Sequence, residues 1–246
     1  MTPDLSIVVP VRNEAGNVLP LIEEIHAALD GGESFEVIYV DDGSIDETAA
    51  RLAQAASRFP KLRIVTHGQS CGQSAAIRSG VGAAQGAWIV TLDGDGQNDP
   101  VDIPALVRLA LDAPAGGPDL VAGIRVKRRD GWFKRVMSRI ANGVRQWLLR
   151  DDVSDTGCGL KMIRRSAFLQ LPYFDHMHRY LPALVLRAGG RVQTVPVGHR
   201  PRLTGRSKYG LHNRLWVGIV DLFGVMWLLR RHKTPVIENS DRPDDA

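Results

Sequence analysis

Cysteine is nearly missing from this chain: Cys71 and Cys158 are the only two in 246 residues, far apart and without metal-ligand spacing. A disulfide framework is thereby excluded and a reducing compartment expected. Aromatic residues make up only 6%, and no apolar run reaches the roughly 20 residues that a membrane-spanning helix needs. Met1-Thr-Pro-Asp-Leu5 runs straight into a strand-like stretch, without a basic and then apolar leader, so no secretory signal is expected and the chain is placed in the cytoplasm. An acidic surplus is lacking too: the net charge is +4, with the positive excess in 125–150 and 199–233. Such patches suit phosphates or an anionic membrane surface. Charge alone would admit nucleic acid, which the sequence as a whole does not call for. The apolar fraction of 44% is ample for a core, and the length fits one large domain or two small ones.

What is present alternates in a regular way. Leu5-Ser-Ile-Val-Val-Pro10, Phe35-Glu-Val-Ile-Tyr-Val40, Leu62-Arg-Ile-Val-Thr66, Trp88-Ile-Val-Thr-Leu92 and Asp119-Leu-Val-Ala-Gly-Ile124 read as short buried strands. Helical spacing over Asn17–Leu29, about Glu47–Ser57, about Ala75–Ala84 and about 102–112 separates them. Strand and helix in turn predict a mostly parallel sheet covered on both faces, with ligands at the carboxyl ends of its strands. There lie Val11-Arg12-Asn13-Glu14, Asp41-Asp42-Gly43-Ser44-Ile45-Asp46 and Asp93-Gly94-Asp95-Gly96-Gln97-Asn98-Asp99-Pro100. Asp93 and Asp95, two residues apart, with the amide of Gln97 two further on, can converge on one hard cation such as Mg²⁺ or Mn²⁺. The same loop can equally be a polar turn, with Asp99 capping the next helix and Pro100 opening it.

Four of these stretches carry a resemblance. Val8-Val9-Pro10-Val11-Arg12-Asn13-Glu14, Asp41-Asp42-Gly43-Ser44-x-Asp46, Gly72-Gln73-Ser74-Ala75 and Leu92-Asp93-Gly94-Asp95-Gly96-Gln97 are similar, in order and spacing, to the motifs of family 2 glycosyltransferases with the GT-A fold. Within that family the chain most resembles the polyprenyl-phosphate group, the dolichol-phosphate mannosyltransferase-like enzymes, over roughly 5–210. It departs at Gly94 and Gly96, where alanine and leucine are frequent, and at Gln73, where lysine is frequent. The resemblance implies an α/β, Rossmann-like sheet, largely parallel and flanked by helices. Pro10, Val11, Asn13, Glu14, Asp42, Gln73, Asp93, Gly94, Arg202 and Lys208 would contact a UDP- or GDP-sugar, and Asp95 and Gln97 would hold the divalent cation. Arg125, and Lys134-Arg135-x-x-Ser138 on the following helix, match the positions that hold a lipid phosphate. Asp155, in Ser154-Asp-Thr-Gly157, falls at a wall of the donor site, with Lys161 where many relatives carry arginine. Arg202-x-x-Gly205-x-Ser207-Lys208 matches a loop that folds over the diphosphate.

The helix expected over 132–148 is basic and amphipathic, fit either for a core or for an anionic interface. Leu215–Leu229 is apolar and followed by Arg230-Arg231-His232-Lys233. As about 22 Å of helix it is too short to span about 30 Å of hydrocarbon. An interfacial or re-entrant segment, a buried helix and a contact in a homodimer all fit it. The expected organisation is therefore a glycosyltransferase domain over 1–210, an apolar interface segment over 211–233 and a disordered tail over 234–246. Attack by a polyprenyl phosphate on the sugar would invert the anomeric centre and need no general base, since a phosphate monoester is already largely ionised, its second pKa being about 6. A peripheral enzyme on the cytoplasmic face of the inner membrane is expected. A nucleotidyltransferase would need a glycine-rich basic loop near the N-terminus that Val11-Arg-Asn-Glu-Ala15 is not. A catalytically silent nucleotide-sugar scaffold is the other alternative.

Overall fold

The computed structural model describes residues 2–114, 116–126, 143, 145, 146, 148, 149, 151, 153–201, 211–231 and 233, with side chains from 217 onward in the last stretch. The expected roles of Lys134, Arg135, Ser138, Arg202 and Lys208, most of the helix over 132–148 and the tail over 234–246 lie outside the described residues.

A seven-stranded sheet organises the chain. Its strands are β1 (Leu5–Val11), β2 (Phe35–Asp42), β3 (Leu62–His67), β4 (Trp88–Thr91), β5 (Leu120–Arg125), β6 (Lys161–Arg164) and β7 (Val192–Val197), in the order β3-β2-β1-β4-β6-β5-β7. All run parallel except β6, which enters antiparallel between β4 and β5. The five strands expected from β-branched runs are all present, and β6 and β7 are additional. Among the described residues, helices α1 (Val18–Leu29), α2 (Thr48–Ala56), α3 (Gln73–Ala83), α4 (Ile103–Leu111), α5 (Arg165–Gln170), α6 (Leu181–Arg187) and α7 (Leu211–Arg230) pack around the sheet.

Strand side chains alternate between faces, so each strand feeds two cores. Ile7, Val9, Val37, Tyr39, Val90 and Met162 enter the core under α1, α2 and α4. Val8, Ile38, Val40, Ile89 and Ile163 enter the other, beside α3, α5, α6 and α7. This double burial is why the strands read as continuous apolar runs rather than alternating ones.

The outer helix α7 docks on the second core through fully buried Val225 and partly buried Leu222, Met226 and Leu229. Tyr180 Oη donates to the Gly218 carbonyl at 3.4 Å, Arg187 Nε to the Leu228 carbonyl at 2.9 Å, and His176 Nδ1 lies 3.1 Å from Asp221 Oδ2. Its other face leaves Val220, Phe223 and Trp227 exposed, at 67%, 64% and 60%. Among the described residues no helix is long and apolar enough to cross a membrane.

Candidate active site

Because β1, β2, β4, β5 and β7 share one direction, the loops after them open on one edge of the sheet. Antiparallel β6 brings the segment before it, 153–160, to that same edge. The chain order reverses between β1 and β4, the crevice where open α/β sheets bind ligands. Sequence-expected residues from six separate segments therefore meet there: Pro10 to Glu14, Asp42, Gln73, Asp93 to Gln97, Arg125 and Asp155.

The loop after β4 is held closely. Asp93 accepts from Gln73 Nε2 at 2.7 Å, and its backbone N–H donates to Asn98 Oδ1 at 3.3 Å. Asp95 Oδ1 accepts from the Gln97 N–H at 3.1 Å, folding the carboxylate back beside the amide-bearing residue. Gly94 has a steric reason to be glycine, since a Cβ there would stand 2.3 Å from Val11 Cγ1 and 2.9 Å from the Pro10 carbonyl. Asp99 fulfils the bland expectation, accepting from the Val101 N–H at 3.1 Å ahead of Pro100. Burial, and next the charge of Asp95, push the Asp93 carboxyl above the usual range, against the opposing pull of Lys161, Gln73 and Arg125. Two crowded acids make an oxygen donor set whose repulsion a hard divalent cation would relieve, and Gln97 follows them on the same loop.

Asp42, expected at the nucleotide, is bonded within the chain. Its carboxylate accepts from His67 Nδ1 (2.8 Å), Ser70 Oγ (2.7 Å), Cys71 N–H (2.8 Å) and Gly72 N–H (2.9 Å), so it shapes the 67–72 loop. Burial alone would raise its pKa; these bonds outweigh that and hold it below the usual carboxylate range. Asp42, His67 and Cys71 present ligand atoms within 4.8 Å of one another, a second place where a metal could be held. Both ring nitrogens of His67 already have partners there, the second being Ser79 Oγ at 2.9 Å. Asn13 and Glu14 likewise organise loops: Asn13 Oδ1 accepts from the Ile45 N–H at 2.8 Å, and the Glu14 N–H donates to Thr48 Oγ1 at 2.9 Å.

Across the crevice, Arg125 donates through Nε and Nη2 to the two oxygens of Asp155, both at 2.7 Å. Asp155 is buried and Arg125 partly so, and Asp155 raises the Arg125 pKa despite the opposing effect of burial. Between the two clusters lies a floor that combines the expected Pro10, Gln73 and Asp93, and the noted Lys161, with Gly159 and His178, which sequence reasoning missed. Pro10, Gln73, Asp93, Gly159, Lys161 and His178 line one recess. Lys161, buried at the start of β6, donates Nζ to the Cys158 carbonyl; burial lowers its pKa while Cys158, Asp93 and Asp155 oppose that. Ser74 Oγ accepts from the His178 N–H at 3.3 Å and lies 2.7 Å from His178 Nδ1. Burial, and then the Lys161 charge, hold His178 neutral with its pKa well below the ordinary value. His178 sits in no motif, and only its distance in sequence from Ser74 hid it.

A sheet with acid-rich loops around its switch point, and a buried cation opposite them, defines a GT-A-like glycosyltransferase fold. The structure of glucosyl-3-phosphoglycerate synthase from Mycobacterium tuberculosis with Mn²⁺, UDP-glucose and glycerol 3-phosphate aligns at TM-score 0.67 and 21% identity, over 92% of this chain and 80% of that one. The same enzyme with Mn²⁺, UDP and phosphoglyceric acid aligns at 0.69 and 22%, over 94% and 80%. A family model described as Glycosyl transferase family 2 matches residues 6–171, and the chain belongs to that family. A dodecaprenyl-phosphate galacturonate synthase of Rhizobium johnstonii is 38% identical over 237 residues, 94% of this chain and 69% of its own length. An undecaprenyl-phosphate 4-deoxy-4-formamido-L-arabinose transferase of Edwardsiella ictaluri is 38% identical over 210 residues, 84% of this chain and 63% of its own length. The chain thus spans about two thirds of these relatives.

Proposed function

We propose that this protein transfers a sugar from a nucleotide-diphosphate donor to the phosphate of a polyprenyl phosphate, with inversion, making a lipid-linked sugar for the cell envelope. The observation that carries it is the forked Arg125–Asp155 pair set opposite Asp93 and Asp95 in a chain whose relatives are named for polyprenyl-phosphate sugar transfer. Asp95 and Gln97 would hold Mg²⁺ or Mn²⁺, which when bound would supply positive charge to offset that of the departing diphosphate. Asp93, fixed by Gln73, orients the donor, while Pro10, Val11, Gly94 and the loops tied down by Asn13, Glu14 and Asp42 shape the nucleotide side. Arg125, oriented by Asp155, receives the acceptor phosphate, which attacks without a general base because it is already anionic. Lys134, Arg135 and Ser138 add to that phosphate site, and Arg202 and Lys208 to the diphosphate.

The enzyme works at the cytoplasmic membrane surface as a peripheral protein, meeting the lipid through the exposed face of α7 and the basic residues that follow it. A soluble acceptor would leave that apolar face without a purpose, unless a second copy of the chain covers it. Mass spectrometry of lipid products made from undecaprenyl phosphate, Mn²⁺ and a panel of UDP- and GDP-sugars tests the proposal, with Asp95→Asn and chelator as controls. One lipid-linked sugar, lost in both controls, is the expected result. Transfer to a soluble phosphate with no lipid product would overturn it.

A further inference from the structure

The loop that would carry the cation, 93–99, contains Gly94 and Gly96 and so has little stiffness of its own. Its position must come from its two ends. The inner end is fixed by Gln73 on Asp93 and by the Asp93–Asn98 bond. The outer end is gripped from a remote part of the chain, just beyond β7. There the Arg200 N–H donates to the Gln97 carbonyl at 2.9 Å. The Arg200 guanidinium donates Nε to Asp99 Oδ2 at 2.9 Å, and its Nη2 lies 2.6 Å from Asp99 Oδ1. Its remaining arm, Nη1, reaches Glu24 of α1 at 2.8 and 3.0 Å. Gly198 N–H adds a bond to Asp102 Oδ2 at 2.7 Å.

From this geometry we infer that Arg200 is a positioning residue for cation binding: it ties the Gln97 backbone and the Asp99 carboxylate to α1, fixing the loop from which Asp95 and Gln97 would reach a cation. The inference rests on the reading of Asp95 and Gln97 as the cation ligands. Arg200, Asp99 and Glu24 are partly exposed, at 35%, 21% and 41% of their side chains. Ion pairs so exposed contribute little to folding stability. Loss of Arg200 should therefore register in cation affinity more than in folding, as happens when the groups that orient metal ligands are removed.

The test is Mn²⁺ binding, followed by electron paramagnetic resonance in the presence of UDP, alongside thermal unfolding of the same samples. Arg200→Ala should need about tenfold more Mn²⁺ for half-saturation, Arg200→Lys about threefold more, and Glu24→Gln about twofold more. Thermal midpoints should stay within a few degrees of the unaltered protein, and turnover of Arg200→Ala should recover at high Mn²⁺. Unchanged Mn²⁺ affinity in Arg200→Ala, while Asp95→Asn loses it, overturns the inference and leaves the ligand reading standing. Unchanged affinity in Asp95→Asn overturns both. Should Arg200→Ala fail to fold, wild-type Mn²⁺ affinity in both Arg200→Lys and Glu24→Gln likewise overturns the inference.

Discussion

Gly159→Ala tests how the acid at the end of β4 is held. A Cβ at 159 would stand 2.3 Å from Asp93 Oδ2, 2.4 Å from its Cγ and 2.5 Å from its Oδ1, closer than any real contact. The backbone there has little room to retreat. The Gly159 carbonyl accepts from Thr91 Oγ1 at 2.8 Å, the next carbonyl accepts from the Gly123 N–H at 3.0 Å, and Lys161 Nζ holds the one before. The carboxylate must therefore swing away and give up its bond from Gln73. A hydrogen bond to a charged group is worth about 1.5–3 kcal/mol, which corresponds to roughly 10- to 150-fold in donor binding. Overpacking adds about 1–3 kcal/mol against folding, or about 2–12 °C in the melting midpoint for a chain of this size. Calorimetric titration with UDP and Mn²⁺, with a thermal melt of each sample, reads both effects. Gly82→Ala is the control: nothing lies within 4 Å of its Cβ position in α3, so stability should rise by about 0.4–1 kcal/mol with UDP affinity unchanged. A Gly159→Ala protein with wild-type UDP affinity would refute the argument that Asp93 must stand where the structure places it to receive the donor.

Arg125→Lys keeps the charge but loses the fork to Asp155, so the apparent constant for polyprenyl phosphate should worsen about tenfold or more while UDP affinity stays nearly constant; equal losses would move Arg125 into the donor site. His178 is held neutral in the folded protein but takes up a proton near its ordinary pKa of 6.5 when unfolded. Stability should therefore fall as the pH drops below about 6.5, by up to about 1.4 kcal/mol per pH unit, until the folded pKa is reached. Urea unfolding at several pH values should show that slope flattened in His178→Asn, and an identical slope would remove His178 as its source. Binding to anionic vesicles should weaken with salt without vanishing, and Phe223→Ala with Trp227→Ala should lower the salt-resistant part. Complete release by salt alone, or retention after carbonate extraction, would each contradict peripheral insertion of α7.

The first half of the sheet was readable because β1, β2 and β4 are buried on both faces and must be apolar throughout. β6 was not, because only Met162 and Ile163 separate Lys161 from Arg164, and nothing in so short a run shows that it inserts antiparallel between two earlier strands. β7 lies at the sheet edge with Gln193, Thr194 and Pro196 in it, a composition that only an edge strand tolerates. In the site, acids placed directly after strands announced themselves: Asp93, Asp95 and Asp42 follow apolar runs, and Arg125 ends one. Gly159, Lys161, His178 and Arg200 gave no such signal, since each matters through a group 66 to 176 residues away along the chain. Asp42 shows the converse limit. Its place at a strand tip was evident, but only the fold shows four donors from 67–72 closing around it.

The antiparallel entry of β6 also bears on how the catalytic edge could be exchanged between relatives. Most of what is assigned to the donor and the cation precedes residue 100, whereas Arg125 and Asp155 come later, together with Arg200, Arg202 and Lys208, so the chain divides into a mainly donor-reading module and one that adds the acceptor site. Within the sheet, the seam between them is one ladder of four facing pairs, Trp88 to Arg164 through Thr91 to Lys161. A hybrid made by splicing the first module of one family member to the second of another would keep its crevice only if those four pairs stay in register. A slip of one residue would turn Met162 and Ile163 to opposite cores and carry Lys161 away from Asp93.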